Sequence, residues 1–474
     1  MHRCHALALL SACVFQLSAA PATPAPGPNI VLILADDLGW GDVGFNGRRD
    51  WKTPNLDRLA RQGTVFRRWY TSAVVCAPSR AALITGRSTI HCGVSSNSQD
   101  LPRSETTLAE ALHPLGYTCA LFGKWHSGQV RRGEPGPVHP LEQGFDEFIG
   151  YTNAVHAWQH FPTNLWFGHE LRPVKGYSPA LLTDYAIDFI KRHRARPFFL
   201  YQAYIEPHLR IEAPPDDIAR FRGRFTEKDP AHPINAGYAA MITRLDREIG
   251  RLLAALDQEG MTRRTLVVFT SDHGATFEPL NQGAAAYHDS NHPFRGHKRT
   301  LWEGGVRVPA IVRWPGEVPA RRTSSAVMQH IDLFPTLLAA AGGTLAAGWA
   351  VDGWNQLDVW RGRELPRERT LFWEWRSEGS LQLAAMRGDY KLIISDQEML
   401  HRVRQPDPKQ AGSTVRRPDL FNVETDPAER RTLYYENENF ARELEVELLR
   451  WIDSETDASR ERELPQAALR ALNP

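Results

Sequence analysis

Asn29-Ile30-Val31-Leu32-Ile33-Leu34-Ala35 carries no polar residue after Asn29 and ends in Asp36-Asp37-Leu38-Gly39-Trp40-Gly41-Asp42. A continuous apolar run of this length, without alternation, marks a strand buried on both faces, the kind found in parallel sheets covered by helices. Three more segments repeat the pattern. Thr265-Leu266-Val267-Val268-Phe269 leads to Ser271-Asp272-His273-Gly274, and Tyr117 to Phe122 leads to Gly123-Lys124-Trp125-His126. Phe198-Phe199-Leu200-Tyr201 leads through Glu206-Pro207 to His208. Each places ionisable groups just past the carboxyl end of a strand. Ligands of open α/β sheets bind in the crevice outside those ends, so residues far apart in the chain are predicted to meet at one site. Between the strands, Tyr238 to Glu259 carries Met241, Ile242, Leu245, Ile249, Leu252, Leu253 and Leu256 on one helical face, with Gly260 as the stop. The alternation predicts an α/β fold: a large, mostly parallel sheet flanked by helices.

A second stretch points to chemistry. Cys76-Ala77-Pro78-Ser79-Arg80 continues through Ala81-Ala82-Leu83-Ile84 to Thr85-Gly86-Arg87. It predicts a loop feeding a helix, with Pro78 in the first turn and Gly86 closing the last. Cys76 then sits at or just before a helix N-terminus, where free N–H groups and the dipole favour an anion. Read from the residues alone, it is a thiol of lowered pKa or one half of a disulfide. The adjacent Asp36 and Asp37 repel unless a cation or a proton lies between them, although a cap or turn would also use such a pair. With Asp272 they make three carboxylates, a set suited to Ca²⁺ or Mg²⁺.

The twelve residues from Cys76 to Arg87 match the type I sulfatase signature, and the chain resembles this formylglycine-dependent, arylsulfatase-like family of the alkaline-phosphatase-like superfamily. The resemblance keeps order and context from about Asn29 to Gly342 and implies that Cys76 is oxidised to formylglycine by a maturation enzyme. It implies Asp36, Asp37, Asp272 and His273 as ligands of a calcium ion (or magnesium) together with residue 76. His273 departs from the pattern, since asparagine is commonest there, and a nitrogen ligand leaves the metal less defined. Gly123-Lys124-Trp125-His126 matches the family's Gly-Lys-Trp-His, His208 its Pro-His pair, and Lys298 the lysine before Trp302-Glu303-Gly304-Gly305. A P-loop reading of Gly116 to Lys124 fails on its glycine spacing and on Trp125.

The activity so implied is hydrolysis of sulfate monoesters. An aldehyde hydrate has two hydroxyls on one carbon: one attacks sulfur in line, and deprotonation of the other later expels sulfate and restores the aldehyde. Family resemblance gives Arg80 the formylglycine hydroxyl and the metal-site carboxylates, and makes His126 the base for elimination. His208 becomes the acid for the leaving oxygen, while Lys124 and Lys298 become the sulfate-binding cations.

At 474 residues, 42% apolar and 23% charged, the chain has ample core for one large domain and a smaller one. A formal net charge of +1 argues against a polyanion grip, and so against nucleic acid. Arg3, the apolar Ala6 to Leu17 and Ala20-Pro21-Ala22 predict an export signal over residues 1–22 and a periplasmic or secreted protein. Lipoprotein anchoring at Cys13 ranks second. No apolar run is long enough to span a bilayer. Cys92 and Cys119 are left to pair with each other or to stay buried thiols.

His156, Trp158, His160, Phe161, Trp166, Phe167 and His169, and the polar loop of Tyr287, His288, Asp289, Asn291 and His292, read either as a wall for a sulfated carbohydrate or as packing. The charged stretch Arg361 to Thr370 divides a catalytic domain, 23–365, from a C-terminal subdomain, 366–474. There Leu371 to Trp375, Leu381 to Met386 and Tyr390 to Ile394 predict a short antiparallel sheet, and Phe440 to Ile452 a helix. Two rival functions remain: a phosphonate or phosphate monoester hydrolase of the same superfamily, and a non-catalytic glycan-binding protein that keeps the Cys76 thiol.

Overall fold

The computed structural model describes residues 27–128, 138–363, 368–377, 380–394 and 418–454. The predicted export signal, Cys4, Cys13 and the 365/366 domain boundary lie outside them.

In chain order the elements are β1 (Asn29–Ala35), α1 (Pro54–Gln62), β2 (Thr64–Tyr70), α2 (Cys76–Thr85), α3 (Thr89–Cys92) and α4 (Leu108–Leu112). Then come β3 (Thr118–Lys124), β4 (Glu147–Tyr151), β5 (Asn164–Phe167), β6 (Glu170–Pro173), α5 (Ser178–Arg192), β7 (Phe198–Ala203), α6 (Pro215–Ala219) and α7 (Ile234–Gln258). They continue with β8 (Thr265–Ser271), α8 (Ala284–Tyr287), α9 (Glu303–Val306), β9 (Ile311–Arg313), β10 (Arg322–Gln329), α10 (Leu333–Ala340) and α11 (Leu357–Trp360). The last are β11 (Thr370–Ser377), β12 (Ser380–Arg387), β13 (Tyr390–Ile394), β14 (Asp419–Asn422) and α12 (Glu438–Asp453).

Ten strands form one sheet in the order β10-β2-β9-β8-β1-β7-β3-β4-β5-β6. Its centre, β8-β1-β7-β3-β4, is parallel throughout, and so is β10 with β2. β9 runs antiparallel to both neighbours, and the β5–β6 hairpin closes the far edge antiparallel. The unbroken apolar sequence of β1 has its reason here. Ile30, Leu32 and Leu34 join the core on one face, with α2, α4 and α10, whereas Val31, Ile33 and Ala35 join the other, with α1, α5 and α7. Each large aliphatic side chain buried this way contributes about 1.5–3 kcal/mol.

The second sheet, β11-β12-β13-β14, is antiparallel, as a class with a small α+β subdomain requires. One face packs Leu383, Leu392 and Leu420 on Leu444, Leu448 and Ile452 of α12. The other packs Trp373, Met386 and Phe421 on Tyr70, Val74, Val75, Leu301 and Val306. The small sheet therefore rests on the two segments that deliver Cys76 and Lys298.

Three local outcomes refine the sequence reading. α7 starts at Ile234, four residues before Tyr238, because the Glu227 carboxylate accepts the N–H groups of Asn235 and Ala236, a cap no local pattern announces. Gly86 closes α2 at φ 70°, its N–H donating to the Ala82 carbonyl. Cys92 and Cys119 are free buried thiols directed at the Thr89 and Ala109 carbonyls, which settles their open alternative against a disulfide.

Candidate active site

β8, β1, β7 and β3 are consecutive in the sheet, so Asp272, Asp36, His208 and Lys124 emerge side by side. Strand-like hydrogen bonds continue past the strand ends. Asp36 N–H donates to the Glu206 carbonyl (3.1 Å) and Asp272 N–H to the Ala35 carbonyl (3.0 Å). Asp37 then turns off at φ 63°, its N–H donating to Asp272 Oδ1 (3.1 Å). The Asp272 carbonyl accepts from Thr71 Oγ1 and Ser79 Oγ, both at 2.6 Å, which ties this loop to the segment entering α2.

Cys76 is the first residue of α2, with Val75 extended before it. One turn later, Arg80 donates through Nε and NH2 to Asp272 Oδ2 (3.2 and 3.0 Å) and through NH1 to the Lys124 carbonyl (2.8 Å). Its NH2 lies 3.5 Å from Asp36 Oδ2. Lys124 Nζ donates to that same Asp36 oxygen (2.6 Å). Lys298, carried on the loop before α9, reaches Asp37 Oδ1 (3.0 Å) and Glu278 Oε2 (3.2 Å). His273 Nε2 lies 3.3 Å from Cys76 Sγ and 3.6 Å from Asp272 Oδ1. His208 Nε2 lies 3.8 Å from Asp37 Oδ2, and its Nδ1 2.9 Å from the Leu209 carbonyl. Asp36, Asp37, Cys76, Arg80, Lys124, His126, His208, Asp272, His273 and Lys298 are all buried. All ten residues singled out in the sequence thus converge on one site.

Opposed charges set its electrostatics. Burial alone would raise the Cys76 thiol, but Lys124, Lys298, His273 and a hydrogen bond from His126 bring it well below its ordinary value. Asp36 is likewise lowered against desolvation, chiefly by Lys124 and His208. Burial and the neighbouring Asp36 push Asp272 up to about 6. Desolvation works against a charge on His273, yet Asp272 and Cys76 push it up to about 9. His126, desolvated and beside Lys124, falls to about 4, so its imidazole is neutral near pH 7.

This anion-rich cluster fits a divalent cation. Donor atoms of Asp36, Cys76, Asp272 and His273 lie within 4.8 Å of one another, as do those of an overlapping set, Asp36, Asp37, Cys76 and His208. His273 Nδ1 stands 3.1 Å from the Gly274 carbonyl, which leaves Nε2 to face the cluster. Three carboxylates across the two sets supply the oxygen that a hard ion prefers, beside one sulfur and two imidazole nitrogens.

The residues read as a wall or as packing divide between buried and exposed positions. His288 is buried among Trp51, Phe225 and Tyr238, its Nε2 bonded to the Asn235 carbonyl. Asn291 braces the loop after His273, accepting from Ala275 N–H and donating to the Gly296 carbonyl. Trp166 and Phe167 pack against the two cores, and His160 is wholly buried. Phe161 and Tyr287 are exposed. Sequence reading passed over Glu278, the partner of Lys298. It took Glu206 only as the lead-in to His208, since the spacing of either carboxylate carries no signal.

The family model described as Sulfatase matches residues 28–343, two-thirds of the chain, across every element that carries these groups. The chain belongs to the sulfatase family. A second model, N-sulphoglucosamine sulphohydrolase, C-terminal, matches residues 292–454 and takes in the small sheet and α12. The N-acetylgalactosamine-6-sulfatase of Canis lupus familiaris is 34% identical over 411 residues, 78% of this chain and 72% of that one. The steryl-sulfatase of Mus musculus is also 34% identical, over 75% and 68% of the two chains. Among solved structures, Ps i-CgsB in complex with k-i-k-neocarrahexaose superposes with a TM-score of 0.79 at 29% identity, covering 91% of this chain and 94% of its own. This sulfatase is a sulfuric ester hydrolase, and among its described residues no helix is long and apolar enough to cross a membrane.

Proposed function

We propose that this sulfatase hydrolyses sulfate monoesters of a carbohydrate, with a formylglycine made from Cys76 by a maturation enzyme and with calcium, or magnesium, as its metal. The observation that carries the proposal is the placing of residue 76 at the first turn of α2, enclosed by His273, His126, Lys124 and Lys298. A carbohydrate is favoured because a relative is named for sulfated N-acetylgalactosamine and a similar structure holds a neocarrahexaose. Export through residues 1–22 suits such a substrate, with lipoprotein anchoring at Cys13 second. The catalytic domain is assigned to 23–365 and the C-terminal subdomain to 366–474.

Asp36, Asp37, Asp272, His273 and residue 76 would hold the cation, which supplies Lewis-acid polarisation when bound. Hydrated formylglycine supplies two hydroxyls on one carbon, a nucleophile and a means of releasing sulfate. The chain's own groups do the rest. Lys124 and Lys298 place ammonium groups beside the sulfate oxygens, where charge rises in the transition state. Arg80 keeps Asp36 and Asp272 in place and holds the hydroxyl on residue 76. His126, neutral near pH 7, takes the proton of the second hydroxyl. His208 Nδ1 donates to the Leu209 carbonyl, which turns Nε2 to the leaving oxygen, and as the imidazolium the ring carries on Nε2 the proton it gives up.

Mass spectrometry of the tryptic peptide Trp69 to Arg80 from protein made in its native host tests the reading. An aldehyde or its hydrate at residue 76, with inorganic sulfate released from sulfated sugars, is expected. An intact thiol in protein that still releases sulfate would overturn the nucleophile assignment, and one in inactive protein would favour glycan binding without catalysis.

A further inference from the structure

His208 stands on irregular chain beyond β7, so something must fix its ring. Its N–H donates to the Ile205 carbonyl (3.0 Å), but its carbonyl is held by a residue 48 positions earlier: His160 Nε2 lies 3.1 Å from that oxygen. The other ring nitrogen, Nδ1, lies 3.0 Å from Glu206 Oε1. Both side chains are fully buried, and Glu206 Oε2 has no partner among the described residues. A carbonyl only accepts, so His160 Nε2 carries a hydrogen. The contact at Nδ1 is then a hydrogen bond that holds one further proton between the imidazole and the carboxyl group.

The backbone carbonyl of this same Glu206 accepts the N–H of Asp36. His160 is held in turn: its carbonyl accepts Ser178 N–H (2.8 Å) and its ring stacks on buried Tyr177 at 6.3 Å. The aromatic segment between β4 and α5 thus folds back beneath the His208 loop. Burying two such polar side chains is rarely the cheapest way to fill space, because desolvation offsets much of what their hydrogen bond gains.

We propose that His160 and Glu206 are a positioning pair that holds His208 Nε2 against the leaving-group oxygen of the substrate. The inference rests on His208 being the leaving-group acid. Neither residue touches substrate; both act through the loop they pin. Because a displacement of an ångström is costly in catalysis, the pair matters most where the leaving oxygen depends on protonation.

The test measures kcat/KM for 4-nitrophenyl sulfate, whose leaving group needs little protonation, and for 4-methylphenyl sulfate, whose leaving group needs it. The matured wild type is compared with His160→Ala, His160→Gln, Glu206→Gln and His208→Ala, each normalised to formylglycine content and checked by thermal melting. His160→Ala is expected to lose about tenfold or more on the 4-methylphenyl ester and less than about threefold on the 4-nitrophenyl ester. His208→Ala should share this selectivity, and His160→Gln, which keeps one donor, should recover part of the loss. The double variant His160→Ala/His208→Ala should lose little beyond His208→Ala. Equal losses on both esters in His160→Ala, beside a selective His208→Ala, would overturn the positioning role and leave the acid intact. A non-selective His208→Ala would overturn the acid assignment and the pair with it. If His160→Ala fails to fold, the Gln variants carry the same comparison.

Discussion

Asp37 and His126 adopt φ of 63° and 52°, a left-handed conformation that costs a residue with a Cβ roughly 1–2 kcal/mol. Both lie two residues past a strand end, where the chain must turn sharply so that a side chain points into the crevice rather than along the sheet. Such strain persists because the surroundings over-determine it: Asp37 is held through its N–H by Asp272 and through its carboxylate by Lys298. The same crowding makes the site dependent on positive charge. Stripping the cation from matured protein with EDTA is expected to lower activity at least about 100-fold, and to lower the melting temperature, because buried carboxylates lose a counter-charge. Calcium should restore both more fully than magnesium. Activity and melting that are indifferent to EDTA would remove the metal from the proposed mechanism.

β3 shows how an element serves the site. Gly123 has φ 120° and stands opposite Ala203 of β7 and Gly150 of β4. A Cβ there would meet the Ala203 carbonyl oxygen at 1.8 Å, and one on Gly150 would meet the Gly123 carbonyl oxygen at 2.0 Å. These are backbone atoms, which cannot swing aside. The close approach lets three strands stay paired up to the last residue before Lys124 on one strand and the His208 loop on its neighbour. Gly123→Ala is therefore expected to cost roughly 3 kcal/mol or more of stability, from the strained φ and the overlap together. It should also lower kcat on every sulfate ester tried, since Lys124 and His208 move apart. Calorimetry with parallel kinetics checks this, and a wild-type melt would refute the close-approach argument.

Across the whole molecule, the two sheets meet through buried charge. Glu303, five residues after Lys298, accepts from Tyr70 Oη (2.9 Å) and from Lys391 Nζ of β13 (3.0 Å). The Glu303 N–H donates to the Glu429 carboxylate (2.7 Å). Burial, and Glu303 nearby, push Glu429 up to about 7, although Lys391 opposes them. Between the ordinary glutamate range and pH 7, the folded chain therefore keeps a proton that the unfolded chain has released. That contribution to stability is complete at lower pH and is lost as pH rises through about 7. Glu429→Gln, neutral at every pH, should flatten this part of the melting-temperature profile relative to wild type. Parallel wild-type and variant profiles between pH 5 and 8 would show that Glu429 carries no extra proton in the fold.

The local signals that survive in one dimension are periodicity, caps and unbroken apolar runs. They suffice for β1, β3, β7 and β8, because a strand buried on both faces must be apolar throughout, and for the small sheet, whose Gly388-Asp389 turn separates β12 from β13. They suffice for gathering Asp36, Lys124, His208 and Asp272 as well, because parallel neighbours end on the same side. Lys298 was legible only by resemblance to a family, since it arrives on a loop. What no local rule supplies is contact between irregular segments. Glu278 on Lys298, Glu227 at the start of α7, His160 beneath His208 and Glu303 between the sheets each join residues whose separation in the chain carries no period. The chain's own order of residues therefore settled the strands, the turns and the inventory of reactive groups, whose patterns follow from backbone geometry. Which of those groups are paired, buried or shifted in proton affinity was left to packing, because burial and charge depend on neighbours that meet only when the sheet closes.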